Sequence, residues 1–333
     1  DASYCALPWQ QMIININGNV GCCGGLGNDR SLGNLRNQSI MEVWNGEEYR
    51  DLRYRLSSGD KDGAGCRDCI AEKLDIIPDL NIPAEPSAGF VDCEFSRNIK
   101  LLKEDYSKGN TYLKAMPTII SYSGTYECNY KCIMCYQESL RHSRLISTYA
   151  STAAKVLKEL KENYSSLSQL MWGGGEPFLQ KECLEFIKSF RTEDNPYLCF
   201  AVTTNGSIIN ESILSGLKKF YEVILNFSID AGSKEIYETV RVNGKWDNIM
   251  ENLARVAGIR QERKGWRVDW NFTAIKSNIK EIPKAMEVAY EHAVPITVNP
   301  VISHPMQHLL TCYNDYEKET DGWESALREA EKL

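Results

Sequence analysis

The sequence lacks several features that mark whole classes of protein. No apolar stretch approaches the length needed to span a bilayer, and no secretory hydrophobic region is visible, which argues against membrane and secreted proteins. No basic cluster occurs and the formal net charge is −7, which argues against a nucleic-acid backbone as the main partner. Histidine is scarce, at four residues, and no phosphate-binding loop is evident. We therefore expect a cytoplasmic protein with no nucleic-acid or membrane partner.

Cysteine, by contrast, is abundant, with twelve residues in a chain of 333. This length allows a full hydrophobic core and room for two domains, and a hydrophobic content of 43% is ordinary for a globular protein. The spacing of seven cysteines is typical of metal ligands in a reducing compartment and not of loop-closing disulfides. These seven occur as Cys22-Cys23, Cys66-x2-Cys69 and Cys128-x3-Cys132-x2-Cys135.

The most informative motif is the triplet Cys128, Cys132 and Cys135. Three thiolates can hold three irons of a [4Fe–4S] cube and leave the fourth iron without a protein ligand, and an open metal position is a reactive one. Taken alone, the triplet is also compatible with a zinc site that lacks one ligand or with part of a disulfide framework. The residues downstream decide between these interpretations.

The C-x3-C-x2-C spacing resembles the signature of the radical S-adenosylmethionine (radical SAM) superfamily. The resemblance implies that the open iron chelates the amino and carboxylate groups of S-adenosylmethionine (SAM), and that one electron cleaves the sulfonium to a 5′-deoxyadenosyl radical. Tyr136, directly after the third cysteine, falls where the family carries an aromatic residue beside the adenine. Gly174, Gly175 and Glu176 match the family's Gly-Gly-Glu segment, whose backbone and carboxylate receive the methionine amino group. By itself this segment would be a common glycine-rich turn, but its place one strand after the cysteine loop makes coincidence improbable.

From Met116 onward, apolar runs alternate with amphipathic stretches, which predicts alternating strands and helices and hence a parallel sheet. Six such units fit the partial (β/α)6 TIM-like barrel that the resemblance implies, so the predicted fold class is α/β. In such barrels the chemistry lies at the carboxyl ends of the strands, where both motifs fall. The predicted strands are Pro117–Tyr122, Gln169–Trp172, Cys199–Thr204, Glu222–Ile229, Arg267–Ile275 and Ile296–Val301. The predicted helices lie near 147–163, 181–191, 210–219, 246–260 and 280–292.

Three further residues near strand ends are candidates for cofactor binding. By the resemblance, Ser228 falls where the family contacts the ribose, and Arg241 falls where a cation meets the methionine carboxylate. A bidentate guanidinium–carboxylate pair is the physical reason for Arg241, and a surface salt bridge is an equally good interpretation from the residue alone. Asn205 is the third candidate, or else a turn residue of an Asn-Gly pair. Asp230 and Tyr136 could face the substrate, and neither is assigned a proton-transfer role.

The first 70 residues read as a compact cysteine-bearing module. The alternating segment Met12–Val20 predicts a β-hairpin that turns at Asn17-Gly18. A hairpin followed by a helix and a C-x2-C knuckle can close four thiolates around a second metal centre. A structural four-cysteine zinc knuckle satisfies the thiolate count equally well. The cysteines available are Cys5, Cys22 or Cys23, Cys66 and Cys69.

This module is similar to the SPASM and twitch auxiliary-cluster domains of the same superfamily. The resemblance implies an auxiliary [4Fe–4S] cluster, and the small number of cysteines fits the shorter twitch version. In most relatives the module follows the barrel, whereas here it precedes the barrel. The matching elements are Pro8-Trp9, Gly18-x-Val20, Gly33-Asn34-Leu35, Trp44-Asn45 and the closing C-x2-C. The implied ligands are Cys5, Cys23, Cys66 and Cys69, since Cys23 fits the family spacing after Gly18 slightly better than Cys22.

The chain therefore divides into an auxiliary-cluster domain at 1–70, a connector at 71–115 and a radical SAM partial barrel at 116–333. The resemblance implies an enzyme that cleaves SAM and abstracts hydrogen from a substrate C–H bond, with electrons from a reductant such as flavodoxin or ferredoxin. We expect modification of a peptide or protein side chain, with the auxiliary cluster assisting. The alternative is dehydrogenation or another radical modification of a sugar or small-molecule metabolite. An inactive metal-binding scaffold is disfavoured, because the cysteine triplet and the Gly-Gly-Glu segment are both intact.

Overall fold

The fold is built on one large, mostly parallel sheet. The computed structural model describes residues 4–23, 31–66, 69, 77–85, 89–141, 145–300 and 328–329. The strands are β1 (Gln11–Ile14), β2 (Val20–Gly21), β3 (Ile119–Ser123), β4 (Lys131–Cys132), β5 (Gln169–Gly173), β6 (Cys199–Thr204), β7 (Glu222–Ser228), β8 (Arg241–Val242), β9 (Trp266–Ala274) and β10 (Ile296–Pro300). Eight of them form one sheet in the order β10-β9-β7-β6-β5-β3-β1-β2, and β4 pairs with β8 separately. All neighbours in the large sheet are parallel except β1 and β2.

Helices connect the parallel strands, which confirms the predicted α/β fold with a barrel-type parallel sheet. All six predicted barrel strands and all five predicted helices form within a few residues of their predicted bounds, although Val301 lies outside the described residues. Within the part of the chain that the structure describes, no helix is both long and apolar enough to cross a lipid bilayer. The helices are Leu7–Gln10, Ile40–Trp44, Glu47–Ser57, Glu94–Ser107, Tyr136–Arg141, Leu145–Asn163, Lys181–Ser189, Glu211–Leu217, Lys234–Val240, Trp246–Glu262 and Ile282–Glu291, with short 3-10 turns at Tyr164–Ser166, Pro177–Leu179 and Ile279–Glu281.

The two faces of the sheet differ in burial because successive side chains of a strand point to opposite faces. The buried face packs on the helices: the rings of Trp172 and Phe200 lie 5.9 and 6.2 Å from the ring of Phe186, centroid to centroid. The opposite face, called the inner face below, is largely polar and partly exposed along much of its length. Its residues include Ser121, Ser123, Met171, Thr203, Asn226, Ser228 and Asn271.

The N-terminal module belongs to the same sheet as the barrel. β1 runs parallel to β3, with Gln11 opposite Ile119, and the predicted hairpin of β1 and β2 is confirmed. Gly18 turns the hairpin with a φ of 80°, a conformation that glycine adopts without steric cost. One hydrophobic core continues from Trp44 of the module into the barrel. The boundaries at residues 70 and 116 stay predictions, since sheet and core continue across them.

Arg53 joins two segments of the N-terminal module to the connector. Its side chain is fully buried, and its guanidinium donates to the carbonyl oxygens of Pro8 (2.8 Å), Trp44 (2.7 Å) and Thr111 (3.0 Å). Its Cζ also lies 4.3 Å from the Trp44 ring centroid, a cation–π contact. Burial lowers the pKa of Arg53 to about 9, which reflects how far this cation is removed from water. The module and the connector therefore depend on one buried side chain.

Replacing Arg53 by Ala should lower the free energy of unfolding by about 3–5 kcal/mol, because two buried carbonyl oxygens and one half-buried carbonyl oxygen lose their donors. Urea denaturation followed by circular dichroism measures this change. Arg55→Ala is the matched control, since Arg55 lies two residues away and contacts Asp51 and Asp60 at the surface. Its effect should be much smaller. Equal effects of the two substitutions would contradict the role given to Arg53.

Candidate active site

The cysteine loop begins at the carboxyl end of β3, as the barrel architecture predicts. Its middle forms β4, which pairs antiparallel with β8 so that Cys132 lies opposite Arg241. The Ile133 N–H extends this pairing by donating to the Val240 carbonyl oxygen (3.0 Å), and the Cys135 N–H closes a turn onto the Cys132 carbonyl oxygen (3.0 Å). The loop is therefore fixed against the segment that carries Arg241.

The Gly-Gly-Glu segment holds the other side of the loop through its backbone. The Gly175 N–H donates to the Thr125 carbonyl oxygen (2.6 Å), and the Glu176 N–H donates to the Glu127 carbonyl oxygen (2.7 Å). A Cβ atom on Gly175 would lie 1.9 Å from the Glu127 oxygen, and Gly174 has a φ of 105°. Only glycines allow this close approach, so Gly174 and Gly175 position the loop that carries the cysteines.

The Glu176 side chain is completely buried behind this contact. Its carboxylate accepts hydrogen bonds from Thr204 Oγ1 (2.7 Å), from the Asn205 N–H (2.7 Å) and from the Phe178 N–H (3.2 Å). Burial raises the pKa of Glu176, and these three hydrogen bonds act in the opposite direction. In this structure the carboxylate therefore fixes the turn that follows β6. Its predicted contact with the SAM amino group stays a prediction.

Asn205 extends from that turn to the cysteine loop. Its amide Nδ2 lies 3.6 Å from Cys128 Sγ and 2.9 Å from Asn129 Oδ1. Its Oδ1 accepts hydrogen bonds from the Ser207 N–H (2.9 Å) and hydroxyl (2.6 Å), which orient the amide with its donor toward the sulfur. Asn205 is thus buried in the site and does more than form a turn.

Arg241 is buried beneath Cys132 and paired with a buried acid. Its Nη2 lies 2.6 Å from Asp230 Oδ2, and its Nη1 donates to Cys132 Sγ (3.6 Å). Burial raises the pKa of Asp230, and the Arg241 cation opposes that shift. Asp230 Oδ1 accepts from the Thr273 N–H (2.7 Å), so the acid is anchored to β9. Among the described residues, Arg241 Nε has no hydrogen-bond partner, which leaves one buried donor for a ligand.

The surroundings of the thiols fit a [4Fe–4S] cluster. Burial raises the pKa of Cys132 to about 11, while the Arg241 cation acts in the opposite direction. Burial also raises the pKa of Cys128, and hydrogen bonds to its sulfur from the Tyr130 N–H (3.4 Å) and the Asn205 amide lower it. Donors directed at sulfur stabilise thiolates, which are the form that ligates iron.

Tyr136 and Ser228 lie in different parts of the site. Tyr136 begins the helix Tyr136–Arg141, and its ring meets Tyr126 edge-on with the centroids 6.4 Å apart. Ser228 ends β7 on the inner face, opposite Asn271, and is partly exposed. Their contacts with the adenine and the ribose stay predictions.

Arg141 supports the cysteine loop and was not identified from the sequence. Its Nε donates to the Tyr126 carbonyl oxygen (2.9 Å), and its Nη1 donates to the Tyr130 carbonyl oxygen (2.8 Å). These two carbonyls flank Cys128, so Arg141 fixes the backbone that carries this thiol. Its position shortly after the third cysteine is the signal that could have indicated the role.

The cysteines of the N-terminal module also lie close together. Burial raises the pKa of Cys5 to about 11, with smaller contributions in the same direction from the nearby thiols of Cys23, Cys66 and Cys69. Cys22 is buried in the hydrophobic core, and its thiol also lies near those of Cys23 and Cys5. The four predicted ligands therefore lie near one another, and the choice of Cys23 over Cys22 stays a prediction. Metal ligation by the four thiols stays a prediction.

The two cysteine sets lie toward opposite ends of the strands β1 and β3. β2 returns antiparallel to β1, and Gln11 Nε2 donates to the Cys22 carbonyl oxygen (2.9 Å) at the start of β1. The start of β1 is level with Ile119 at the start of β3, whereas the cysteine loop follows the end of β3. At about 3.3 Å per residue, the length of β3 separates the two sets by about 13 Å along the strands.

Comparisons with known proteins agree with this geometry. The family model described as the radical SAM superfamily matches residues 122–266. The model described as the SPASM iron–sulfur cluster-binding domain matches residues 5–70. Together they cover more than half of the chain.

Several characterised proteins are similar to this chain over part of their length. An S-adenosylmethionine-dependent nucleotide dehydratase of Siniperca chuatsi is 28% identical over 221 residues, which cover 65% of this chain and 56% of that protein. An Fe-coproporphyrin III synthase of Methanosarcina barkeri is 23% identical over 185 residues, which cover 55% of this chain and 44% of that protein. The chain spans about half the length of the curated relatives it matches.

A solved structure of Streptococcus suis SuiB bound to S-adenosylmethionine has 14% identity and a TM-score of 0.49, with 96% of this chain and 67% of that chain covered.

The two matched family models coincide with the two cysteine sets, and the cofactors that they imply are SAM, a [4Fe–4S] cluster and an auxiliary iron–sulfur cluster. The family resemblance seen in the sequence is confirmed: the chain belongs to the radical SAM superfamily of enzymes and carries an N-terminal SPASM-type cluster-binding domain.

Proposed function

We propose that this protein cleaves SAM reductively and abstracts a hydrogen atom from a C–H bond of its substrate. When bound, the catalytic cluster supplies the electron that converts SAM to a 5′-deoxyadenosyl radical. One observation carries this proposal: Cys128, Cys132 and Cys135 lie on a single loop at the carboxyl end of β3, in backbone contact with Gly175 and Glu176. A reductant such as flavodoxin or ferredoxin would deliver the electron.

The residues of the loop and its neighbours would hold the cofactors in place. The three thiolates of the triplet would bind three irons and leave the fourth for SAM. Arg241 Nε, the buried donor described above, is available for the SAM carboxylate. Tyr136 would flank the adenine and Ser228 the ribose, with Gly174 providing the close backbone approach. These assignments follow the family resemblance, and the burial of Arg241 supports its part in them.

The inner face between the two cysteine sets is the proposed substrate site. The side chains of Asn226, Ser228 and Asn271 lie there partly exposed, and they make no hydrogen bond to any described residue. The nearby charges of Arg267 and Asp269 pair with each other at 3.1 Å. Uncharged donors and acceptors suit the amide groups of a peptide better than they suit phosphate groups, which call for cations.

We therefore propose a peptide or protein side chain as the substrate class. A substrate on the inner face would lie between the catalytic loop at the carboxyl ends of the strands and the group of Cys5, Cys23, Cys66 and Cys69 at the opposite ends. That position would allow the auxiliary cluster to accept an electron from the substrate radical. The cofactor supplies the chemistry, and the protein supplies orientation and exclusion of water.

A small-molecule substrate is the second candidate. The curated relatives that support it are named as a nucleotide dehydratase and an Fe-coproporphyrin III synthase, and both names refer to small molecules. The relatives share no more than 28% identity with this chain, so their substrates do not transfer directly.

Replacing Cys128, Cys132 and Cys135 together by Ala should abolish the formation of 5′-deoxyadenosine, because no cluster with an open iron can then bind SAM. The product is measured by chromatography after anaerobic reduction. Cys183→Ala is the control, since Cys183 is a core thiol on the helix Lys181–Ser189. A triple variant that forms 5′-deoxyadenosine at the parent rate would show that the catalytic cluster lies elsewhere.

Reconstituted protein should contain about eight irons per chain, from two [4Fe–4S] clusters. Replacing Cys66 and Cys69 by Ala should reduce this to about four irons while SAM cleavage continues, since the catalytic loop lies at the opposite end of the strands. Iron, sulfide and zinc are measured on the same sample. Four irons with one tightly bound zinc in the parent protein would identify the N-terminal site as a zinc knuckle.

Deuterium transfer distinguishes the two substrate classes. The reduced enzyme is incubated with SAM and with size fractions of a lysate from the source organism grown in deuterated medium, and 5′-deoxyadenosine is analysed by mass spectrometry. We expect deuterium in 5′-deoxyadenosine from a peptide-containing fraction, and loss of that transfer after the fraction is treated with protease. Transfer from a protease-resistant fraction of small molecules would replace the peptide proposal with the alternative.

A further inference from the structure

We propose that Asn205 and Arg241 donate hydrogen bonds to the cluster thiolates, and that the buried acids Glu176 and Asp230 are positioning residues that hold these donors against the sulfurs. The inference goes beyond the proposed function and rests on it only for the presence of the catalytic cluster. The donor atoms concerned are Asn205 Nδ2 and Arg241 Nη1, so the role proposed above for Arg241 Nε is unaffected.

The first arm joins Glu176, Asn205 and Cys128. Glu176 is completely buried, and all three of its hydrogen-bond donors come from within the protein. One of them is the Asn205 N–H at 2.7 Å, which fixes the backbone from which the Asn205 amide reaches Cys128 Sγ at 3.6 Å. The buried carboxylate thus holds the residue that carries the donor to Cys128.

The second arm repeats the arrangement with different residues. Asp230 is completely buried and lies 2.6 Å from Arg241 Nη2, while Arg241 Nη1 donates to Cys132 Sγ at 3.6 Å. β8 places Arg241 directly opposite Cys132 in the backbone pairing. Two of the three thiols of the loop therefore have a side-chain donor, and each donor is held by a buried acid on a different strand end.

Such donors have a defined electrostatic consequence. Hydrogen bonds to the sulfurs of an iron–sulfur cluster stabilise its reduced, more negative state and so raise its reduction potential. Neighbours that orient the ligand groups of a metal site commonly tune it without touching the metal. The two acids would thus set the potential of the catalytic cluster through Asn205 and Arg241.

The test uses the reconstituted full-length holoenzyme and a redox titration followed by electron paramagnetic resonance. The signal followed is the one that changes when SAM is added, because this change identifies the cluster with the open iron. Asn205→Ala should shift the midpoint potential to a more negative value. Asn248→Ala is the matched control. Asn248 is exposed and donates to the carbonyl oxygen of Ser207, which lies in the same turn as Asn205, but it does not reach a sulfur. The midpoint potential of this variant should equal the parent value.

Glu176 is tested in the same titration by a double-mutant cycle. Glu176→Ala should shift the potential in the same direction as Asn205→Ala, and the double variant should show no further shift. Glu176→Gln keeps an acceptor oxygen and should restore part of the parent potential, and it serves as the test variant if Glu176→Ala does not fold. Arg241→Met and Asp230→Asn form the equivalent pair for the second arm.

Four results would overturn the proposal. An unchanged potential in folded, fully loaded Asn205→Ala protein would remove its central claim. Additive shifts in the double variant would show that Glu176 does not act through Asn205. Weaker SAM binding at an unchanged potential would assign Asn205 to SAM and leave the proposed function intact. A parent protein whose signal does not respond to SAM would instead overturn the proposed function together with this inference.

Discussion

Two backbone hydrogen bonds, from Gly175 to Thr125 and from Glu176 to Glu127, set the distance between segments that follow different strands. Because these bonds join main-chain atoms, the segments approach until a side chain on Gly175 has no room. The rest of the site follows from this approach. It buries the Glu176 carboxylate, directs it to the turn after β6, and brings that turn within reach of the cysteine loop. The glycines thus set the distances between the polar residues of the site.

Much of the fold was predictable because strand and helix patterns are local. The six barrel strands have apolar residues that match a buried face, and the helices between them are amphipathic, so their order alone indicates a parallel sheet. The pairing of β1 with β3 was not predictable, since it joins segments more than a hundred residues apart and no local pattern encodes it. The short strands β4 and β8 were not predictable either, because a strand of two residues shows no periodicity.

The candidate site was predictable in its residue types but not in their partners. Spacing identified the cysteine triplet and the Gly-Gly-Glu segment, since both are contiguous in sequence. The partner of Arg241 is Asp230, which the sequence placed at a strand end without a defined role. Whether Asn205 faces SAM or a thiol depends on its rotamer, and its rotamer depends on Ser207 and Asn129. Such choices arise from packing between distant segments.

The position of β1 also bears on how the protein avoids self-association. A strand with unpaired N–H and C=O groups at the edge of a sheet can pair with another chain. β1 covers that edge of β3, whose residues Ile119 and Ile120 are strongly apolar, and β1 is covered in turn by β2. At two residues, β2 offers almost no surface for further pairing. The cysteine-bearing module therefore also protects the edge of the barrel sheet. A barrel segment without this module would expose the unpaired backbone groups of β3, an aggregation-prone strand, beside its catalytic loop.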